Sequence, residues 1–278
     1  MNVKNDEIAV TVIEPIKGWE LIDFKELRDY KDLFYFLVWR DVKVLYAQTI
    51  LGFGWALLQP LIQIIIFTIV FGNVAKIATD GVPYFLFTTL AIVPWTYMST
   101  AATQSSQSLV SGQAMLGKIY FPRLIFPIVP ILSRLVDFAI SMLIVVVVMF
   151  YYGVGLTWNM IYLPVFILMM IALPAGVGMW LAALAIRFRD VKFGMQFGIR
   201  MLMYTAPIVY SAASIPEGYR LIYSLNPLVG VIEGFRATLL GTAIPWEYIY
   251  PGMASIIIIL VSGAFYFRRM ERVFSDVI

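Results

Sequence analysis

One stretch of this sequence has the spacing of a nucleotide site but lacks part of its chemistry. Gly112-Gln113-Ala114-Met115-Leu116-Gly117-Lys118-Ile119 satisfies seven of the eight positions of the phosphate loop GxxxxGK[ST]. The eighth must be Ser or Thr, whose hydroxyl binds Mg²⁺, and here it is Ile119. No strand pattern precedes the motif, and no apolar strand ending in Asp follows it. The residues therefore predict no ATP site in this chain. The sequence holds no His and no Cys. That removes the commonest zinc ligands, every thiol or Ser–His nucleophile, and the usual general base near pH 7. Neither a catalytic residue nor a metal site is expected.

Residues 99–113 read STAATQSSQSLVSGQ, with ten Ser, Thr or Gln in fifteen and no charge. Thr96, Thr100, Thr103, Gln107 and Ser111 fall on one helical face. Uncharged hydroxyls and amides can exchange hydrogen bonds with a sugar or with water without trapping an ion. Small polar residues also pack membrane helices together, so each residue taken singly has two readings. The length of the stretch favours a path. Arg134 and Asp137 are three apart in an apolar run. An unpaired Arg at the centre of a membrane helix costs at least about 2.5–3.5 kcal/mol, and the i,i+3 spacing lets the two share charge. They can be a self-neutralising pair or can act on a substrate. Arg200 has no carboxylate at helical spacing, so it is expected to face a cavity or another span, or to reach the interface. Trp95, Tyr97, Tyr204 and Tyr210 sit near the outer ends of apolar runs. They can serve as an interfacial aromatic belt or stack on sugar faces. Gly194 and Gly198 have the spacing for close helix packing.

The elements that must position these residues follow from composition. Hydrophobic residues make up 61 % of 278, charged residues 13 %, and mean hydropathy is +0.86. A soluble domain of this size could not hide that much apolar surface. Lipid must solvate most of the chain, which excludes a cytosolic enzyme, a disulfide scaffold and a disordered regulator. Of the 37 charges, 16 lie in residues 1–43. A polar N-terminal segment over 1–45 therefore precedes a membrane body over 46–267 and a tail over 268–278. The first 40 residues lack a continuous apolar run, so no secretory leader is expected.

A hydrocarbon core needs roughly 20 helical residues. Apolar runs predict six spans, near 50–72, 84–103, 124–151, 160–186, 193–211 and 247–267. The fourth is interrupted by Pro174, Gly176 and Gly178. Residues 211–246, holding Pro216, Gly218 and Pro227, are too broken to span and read as re-entrant or surface helices on one face. With the N-terminus inside, inner segments hold 15 Lys/Arg and outer segments three, Lys76, Arg220 and Arg236. The charge bias places both termini in the cytoplasm. Residues 23–45 carry Asp23 and Glu26 at capping-box spacing, then Leu27, Tyr30, Phe34, Leu37 and Val38 at helical steps. This predicts an amphipathic helix lying in the interface, or else a small helix packed on the body. The fold class is thus all-α and integral to the membrane.

Several patches in order resemble a known family. They are Arg40-Asp41-Val42-Lys43, Tyr46, Leu51-Gly52, Trp55 and Pro60 entering the first span; Pro94-Trp95; and Lys118-Ile119-Tyr120-Phe121-Pro122-Arg123. They continue with Phe188-Arg189-Asp190-Val191-Lys192, Pro207-Ile208-Val209-Tyr210, Asn226-Pro227 with Arg236, and the tail from Phe267 to Asp276. From about residue 30 onward this order resembles the membrane subunit of polysaccharide ABC exporters, the type-2 permeases that export O-antigen, teichoic acid and capsule chains.

The resemblance implies an interface helix over 23–45 and a coupling segment over 107–121. It implies a second cytoplasmic contact over 187–192 and two short outer gate helices over 213–240. Lys118, Arg123, Arg187, Arg189 and Asp190 would then face the ATP-binding partner. Trp95, Tyr97, Thr100, Thr103, Gln107, Tyr204 and Tyr210 would line the substrate path. Two copies would pair around one channel in the cytoplasmic membrane, with two ATPase chains holding ATP and Mg²⁺ below and a lipid-linked polysaccharide as substrate. No nucleic acid is implied. A stand-alone secondary transporter or channel remains the other class, served by Arg134, Asp137, Arg200 and the break at 174–178. A membrane glycosyltransferase would need acidic or metal-binding clusters, whereas Glu217, Glu233 and Glu247 are scattered.

Overall fold

A computed structural model describes residues 28–116 and 121–271. The described residues are helical wherever they are regular, and they contain no strand. The expected cap at Asp23 and Glu26, Lys118, and the tail beyond Glu271 lie outside the described residues.

Helix α1 (Lys31–Tyr46) buries Leu37 and Val42 and leaves Tyr35, Phe36 and Trp39 exposed. Leu37 joins Phe126, Met179 and Phe267 in a small apolar cluster, so the helix rests on the body while presenting aromatics outward. Helix α2 (Gly54–Phe67) continues through π-helical turns at Thr68–Val74. Together they form an apolar stretch of 21 residues. Only Pro60 and Ile64 of α2 are buried.

Helix α3 (Tyr84–Ser111) is the centre of the molecule. It is 28 residues long, about 42 Å at 1.5 Å per residue, and it is buried along most of its length from Leu86 to Leu109. The sequence pattern ends the span near 103, but the helix runs on to Ser111. Ser105, Ser108 and Ser111 donate their hydroxyls to backbone carbonyls, which lets a polar stretch remain helical without stray donors. A short α4 (Gln113–Leu116) follows.

Helix α5 (Ile125–Tyr151) packs against α3 and α1. Helix α6 (Leu163–Arg187) follows a 3₁₀ turn at Trp158–Tyr162 and is continuous through Pro174, Gly176 and Gly178. The expected break is therefore a packing site. A Cβ on Gly176 would lie 2.8 Å from the Leu260 backbone of the last helix. Small residues let the two backbones approach, and dispersion replaces lipid contact. Gly194 and Gly198, expected to pack closely, have nothing within 4 Å of a Cβ. Their spacing serves no contact among the described residues.

Helix α7 (Val191–Thr205) has 15 residues, about 22 Å, and buries only Met195. The chain bends at 206–211, makes a 3₁₀ turn at Ala212–Ser214, and forms α8 (Glu217–Ser224) and α9 (Pro227–Leu240). The sequence dictates the ends of α9. Asn226 accepts at its Oδ1 from the Leu228 N–H, Pro227 takes the first helical position, and Gly241 closes the helix at φ 69°. Nearly all of α9 from Leu228 to Leu239 is buried. Helix α10 (Trp246–Glu271) closes the bundle against α6 and α9.

Among the described residues five helical stretches are long and apolar enough to cross a membrane: Gly54–Val74, Tyr84–Ser111, Ile125–Tyr151, Trp158–Arg187 and Trp246–Glu271; the span expected near 193–211 is not one of them, because α7 stops after 15 residues.

Candidate functional site: the polar interior around the central helix

The polar face of α3 meets three different surroundings. At its middle, Thr100 and Thr103 face α7. Together with Ser99, Gln104, Gln196 and Arg200 they line an open cavity of about 340 Å³. The Thr100 hydroxyl donates to the Thr96 carbonyl at 2.6 Å, and that of Thr103 to the Ser99 carbonyl at 2.7 Å. Arg200 is exposed and makes no ion pair among the described residues. The structure thus brings three expected residues, Thr100, Thr103 and Arg200, to one place.

Beside that cavity lies a charged junction. Arg134 Nη1 is 2.5 Å from Asp137 Oδ2, and Arg134 Nε donates to Gln104 Oε1 at 2.7 Å. The Tyr46 hydroxyl donates to the other oxygen of Asp137. The expected self-neutralising pair forms. It also ties the C-terminal end of α1 to α3 and α5, which the spacing of Arg134 and Asp137 alone could not reveal. Tyr46 stands 91 positions from Asp137.

Toward the end of α3, Gln107 lines a second cavity of about 600 Å³ with Gln104, Ser108, Ser111 and the α1 residues Arg40 and Asp41. Gln104 borders both cavities.

Two expected path residues are buried. Trp95 and Tyr97 are 6 % and 2 % exposed. The Tyr97 hydroxyl donates to the Ile131 carbonyl at 3.2 Å, and its ring lies 5.5 Å from that of Phe138. Both fill the core of one chain. Their positions near an outer end matched an aromatic belt, but the burial of α3 turns them inward. Tyr204 is exposed at the end of α7, and Tyr210 donates to the Tyr204 carbonyl at 3.3 Å.

Arg187, Arg189 and Asp190 are exposed at the turn between α6 and α7. Arg187 lies over the Phe188 ring, with its guanidinium carbon 5.4 Å from the ring centre. Arg123 donates to the Glu271 carbonyl at 2.8 Å and so helps cap the last turn of α10.

A fourth polar cluster escaped the sequence reading. Arg236 on α9 is 4 % exposed and pairs with Glu233 at 2.8 Å. It donates to the Pro207 carbonyl at 2.8 Å and lies 3.6 Å from the Phe87 ring centre. Glu233 also accepts from the Ala212 N–H. Ser211 donates its hydroxyl to Asp80, and Tyr84 donates to the Val209 carbonyl. The irregular segment 206–214 is thereby held by four hydrogen bonds. Burial pulls the Arg236 guanidinium below its ordinary pKa, and the Glu233 carboxylate opposes the shift. Burial pushes the Tyr223 phenol above its ordinary value. The available signal was the i,i+3 spacing of Glu233 and Arg236 in an otherwise apolar helix, the rule already applied to Arg134 and Asp137.

Among the described residues no group of three His, Cys, Asp or Glu side chains could hold a metal ion.

Comparison with known proteins adds an independent observation. The family profile of the ABC-2 type transporter matches residues 32–240. The chain is 27 % identical over 248 residues to the O-antigen export system permease protein RfbA of Klebsiella pneumoniae, covering 89 % of this chain and 95 % of the relative. It is 25 % identical to the protein of that name from Myxococcus xanthus, covering 89 % and 96 %. The polysialic acid transport protein KpsM of Escherichia coli is 22 % identical, with 84 % and 91 % covered.

Proposed function

The chain belongs to the ABC-2 type transporter family, and on that footing we propose that it is the membrane subunit of an ATP-driven exporter of lipid-linked polysaccharide, O-antigen-like in kind. The observation that carries this reading is the end-to-end similarity to permeases named for O-antigen export, which covers 89 % of this chain. The long uncharged polar face of α3 supports it. Many weak, replaceable contacts let a glycan slide, whereas one deep well would stall it.

The architecture proposed is six spans, with α7 and the bend after it as the short fifth. Both termini lie in the cytoplasm, and α8 and α9 form the outer gate. Helix α1 lies in the cytoplasmic interface of the inner membrane. Two copies pair around one channel. The lightly buried α2 and α7, with Phe193, Phe197, Ile65 and Ile66 exposed, offer apolar faces for that pairing. A separate ATP-binding chain, present twice, binds ATP and Mg²⁺. It docks on the segment 107–121 and on the turn bearing Arg187, Arg189 and Asp190. The path follows Thr100, Thr103, Gln107 and Tyr204 toward Tyr210. Trp95 and Tyr97 support it from the core side.

The test is co-purification with the ATP-binding protein encoded beside it, then export in cells lacking their native permease. Stable association and restored surface polysaccharide are expected. A chain that transports alone, or that binds no such partner, would refute the proposal.

A further inference from the structure

We propose that the cavity between α3 and α7 is an oxyanion site, in which Arg200 and the amides of Gln104 and Gln196 hold a phosphate group joined to a hydroxylated moiety. The proposal rests on the exporter reading and deepens it: it adds that the lipid-linked substrate carries a phosphate group and assigns this cavity to it.

Three observations carry it. First, Arg200 stands nine positions into α7, about 14 Å from Val191 along the helix axis. An arginine at such depth needs an anion, water or a protein partner. Arg134 and Arg236, the other deeply placed arginines, have Asp137 and Glu233 within 2.5 and 2.8 Å. Among the described residues Arg200 has no carboxylate partner, and no Asp or Glu lines its cavity. The site therefore carries uncompensated positive charge.

Second, the amide of Gln104 is oriented by its neighbour. Its Oε1 accepts from Arg134 Nε at 2.7 Å. The carbonyl side of the amide is thus committed to Arg134, and the NH₂ remains as a donor on the cavity wall. Gln196, on the same helix as Arg200, supplies a second amide. A guanidinium fork with neutral N–H donors is the combination that recognises phosphate oxygens.

Third, the hydroxyls of Ser99, Thr100 and Thr103 give their protons to carbonyls one turn back, at 3.2, 2.6 and 2.7 Å. What they offer the cavity is oxygen lone pairs, which accept from the hydroxyls of a sugar. Donors on one side and acceptors on the other suit a glycosyl phosphate better than a bare ion or a neutral sugar. The volume of about 340 Å³ admits such a group.

The test uses the full chain with its ATP-binding partner in nanodiscs of phosphatidylcholine, which brings no anionic lipid. The sequence has no Cys. A single Ile199→Cys reporter, on the apolar edge of the cavity, carries bimane. The probes are inorganic pyrophosphate, geranyl pyrophosphate and geraniol. Saturable fluorescence change with geranyl pyrophosphate is expected, weakened at least about tenfold by Arg200→Gln and less by Arg200→Lys. A response to inorganic pyrophosphate as well supports recognition of the anion itself. A response to geranyl pyrophosphate alone supports a lipid headgroup as its source. An equal response to geraniol, no response to any probe, or unchanged binding in Arg200→Gln overturns the site. If Arg200→Gln does not elute as a monodisperse complex, Gln196→Leu and Arg200→Lys decide by the same criterion. Binding is read without export. Arg200-dependent binding in a complex that exports nothing would count against the exporter reading alone. Export without such binding would count against the site alone.

Discussion

Neutralising Glu233 should destabilise this chain far more than neutralising a surface carboxylate. The carboxylate sits 2.8 Å from Arg236, with side-chain exposures of 14 % and 5 %. At an effective dielectric of about 20 the direct attraction at that distance is roughly 6 kcal/mol, and removing one partner of a buried pair costs about 3–5 kcal/mol overall. Glu233→Gln keeps an oxygen for Arg236 and for the Ala212 N–H, so about 3 kcal/mol is expected. Glu233→Leu removes both acceptors and should reach about 5 kcal/mol. Adding Arg236→Met to Glu233→Leu removes the stranded cation. The double variant should then be more stable than Glu233→Leu alone, even though the Pro207 carbonyl loses its donor. Unfolding by SDS in mixed micelles, followed by tryptophan fluorescence, reads these differences. Amide exchange at Ala212 should rise most in Glu233→Leu, which leaves that N–H without its acceptor. Glu217→Gln is the control, since Glu217 is 88 % exposed and 3.8 Å from Arg220, and no measurable change is expected. If Glu233→Gln matched this control, or the double variant were no more stable than Glu233→Leu alone, the buried pair would not be what holds the 206–214 segment.

Three further outcomes follow from the same geometry. Cys placed at Thr100, Thr103 and Gln107 in this cysteine-free chain should react with a membrane-impermeant thiol reagent during ATP turnover, while Cys at Tyr97 should not; silence at all three would remove them from the path. Gly176→Val should cost several kcal/mol, of the order seen for overpacked cores or more, because its Cβ would meet the Leu260 backbone at 2.8 Å, whereas Gly194→Ala should leave stability unchanged or slightly raised; equal SDS-unfolding midpoints would contradict the packing. Lys118→Ala should leave the ATP affinity of the purified chain at background, as expected from Ile119 in place of the Mg²⁺-binding hydroxyl; binding that disappears in this variant would restore the phosphate-loop reading.

Length and hydropathy made the apolar helices legible because lipid imposes a single demand, about 20 uncharged residues in a row. The same demand hid what happens where helices touch. Gly176 reads as a breaker by propensity, yet it permits the backbone contact with Leu260 that holds α6 to α10. Trp95 reads as an interfacial anchor, yet the helices around α3 cover it. Arg134 and Asp137 were legible as a pair because their partner lies three residues away. Tyr46 and Gln104 were not, because nothing local marks a partner 91 or 30 positions distant. Glu233 and Arg236 were overlooked for another reason. The breaks at Pro216 and Pro227 mark the segment around them as an outer surface, where such charges are ordinary, but α9 is buried along nearly its whole length. Asn226-Pro227 and Gly241 announced the ends of that helix, and only the depth at which it sits was missing.

The distribution of burial suggests how a stroke delivered at the end of α3 would reach the Arg200 cavity. Helices α1, α3 and α5 share the Tyr46–Asp137–Arg134–Gln104 junction. Parting any of them would strand a charge in an apolar setting, so they should move together. Helix α3 is further locked to α5 by Tyr97 and to the 206–214 segment by Tyr84. Among the described residues helix α7 has no such charged tie at its middle: it buries one residue, and Arg200 reaches no carboxylate. The least costly relative motion is therefore of α7 against the α1–α3–α5 unit. That motion opens or closes the cavity that both helices line. It would leave Gln104 on one wall and Arg200 on the other, so an anion held between them would resist opening and favour closure. In the proposed exporter, substrate binding and the gap between α3 and α7 would then share one equilibrium. The charge left unpaired on α7 is the element that would make the gap sensitive to what fills it.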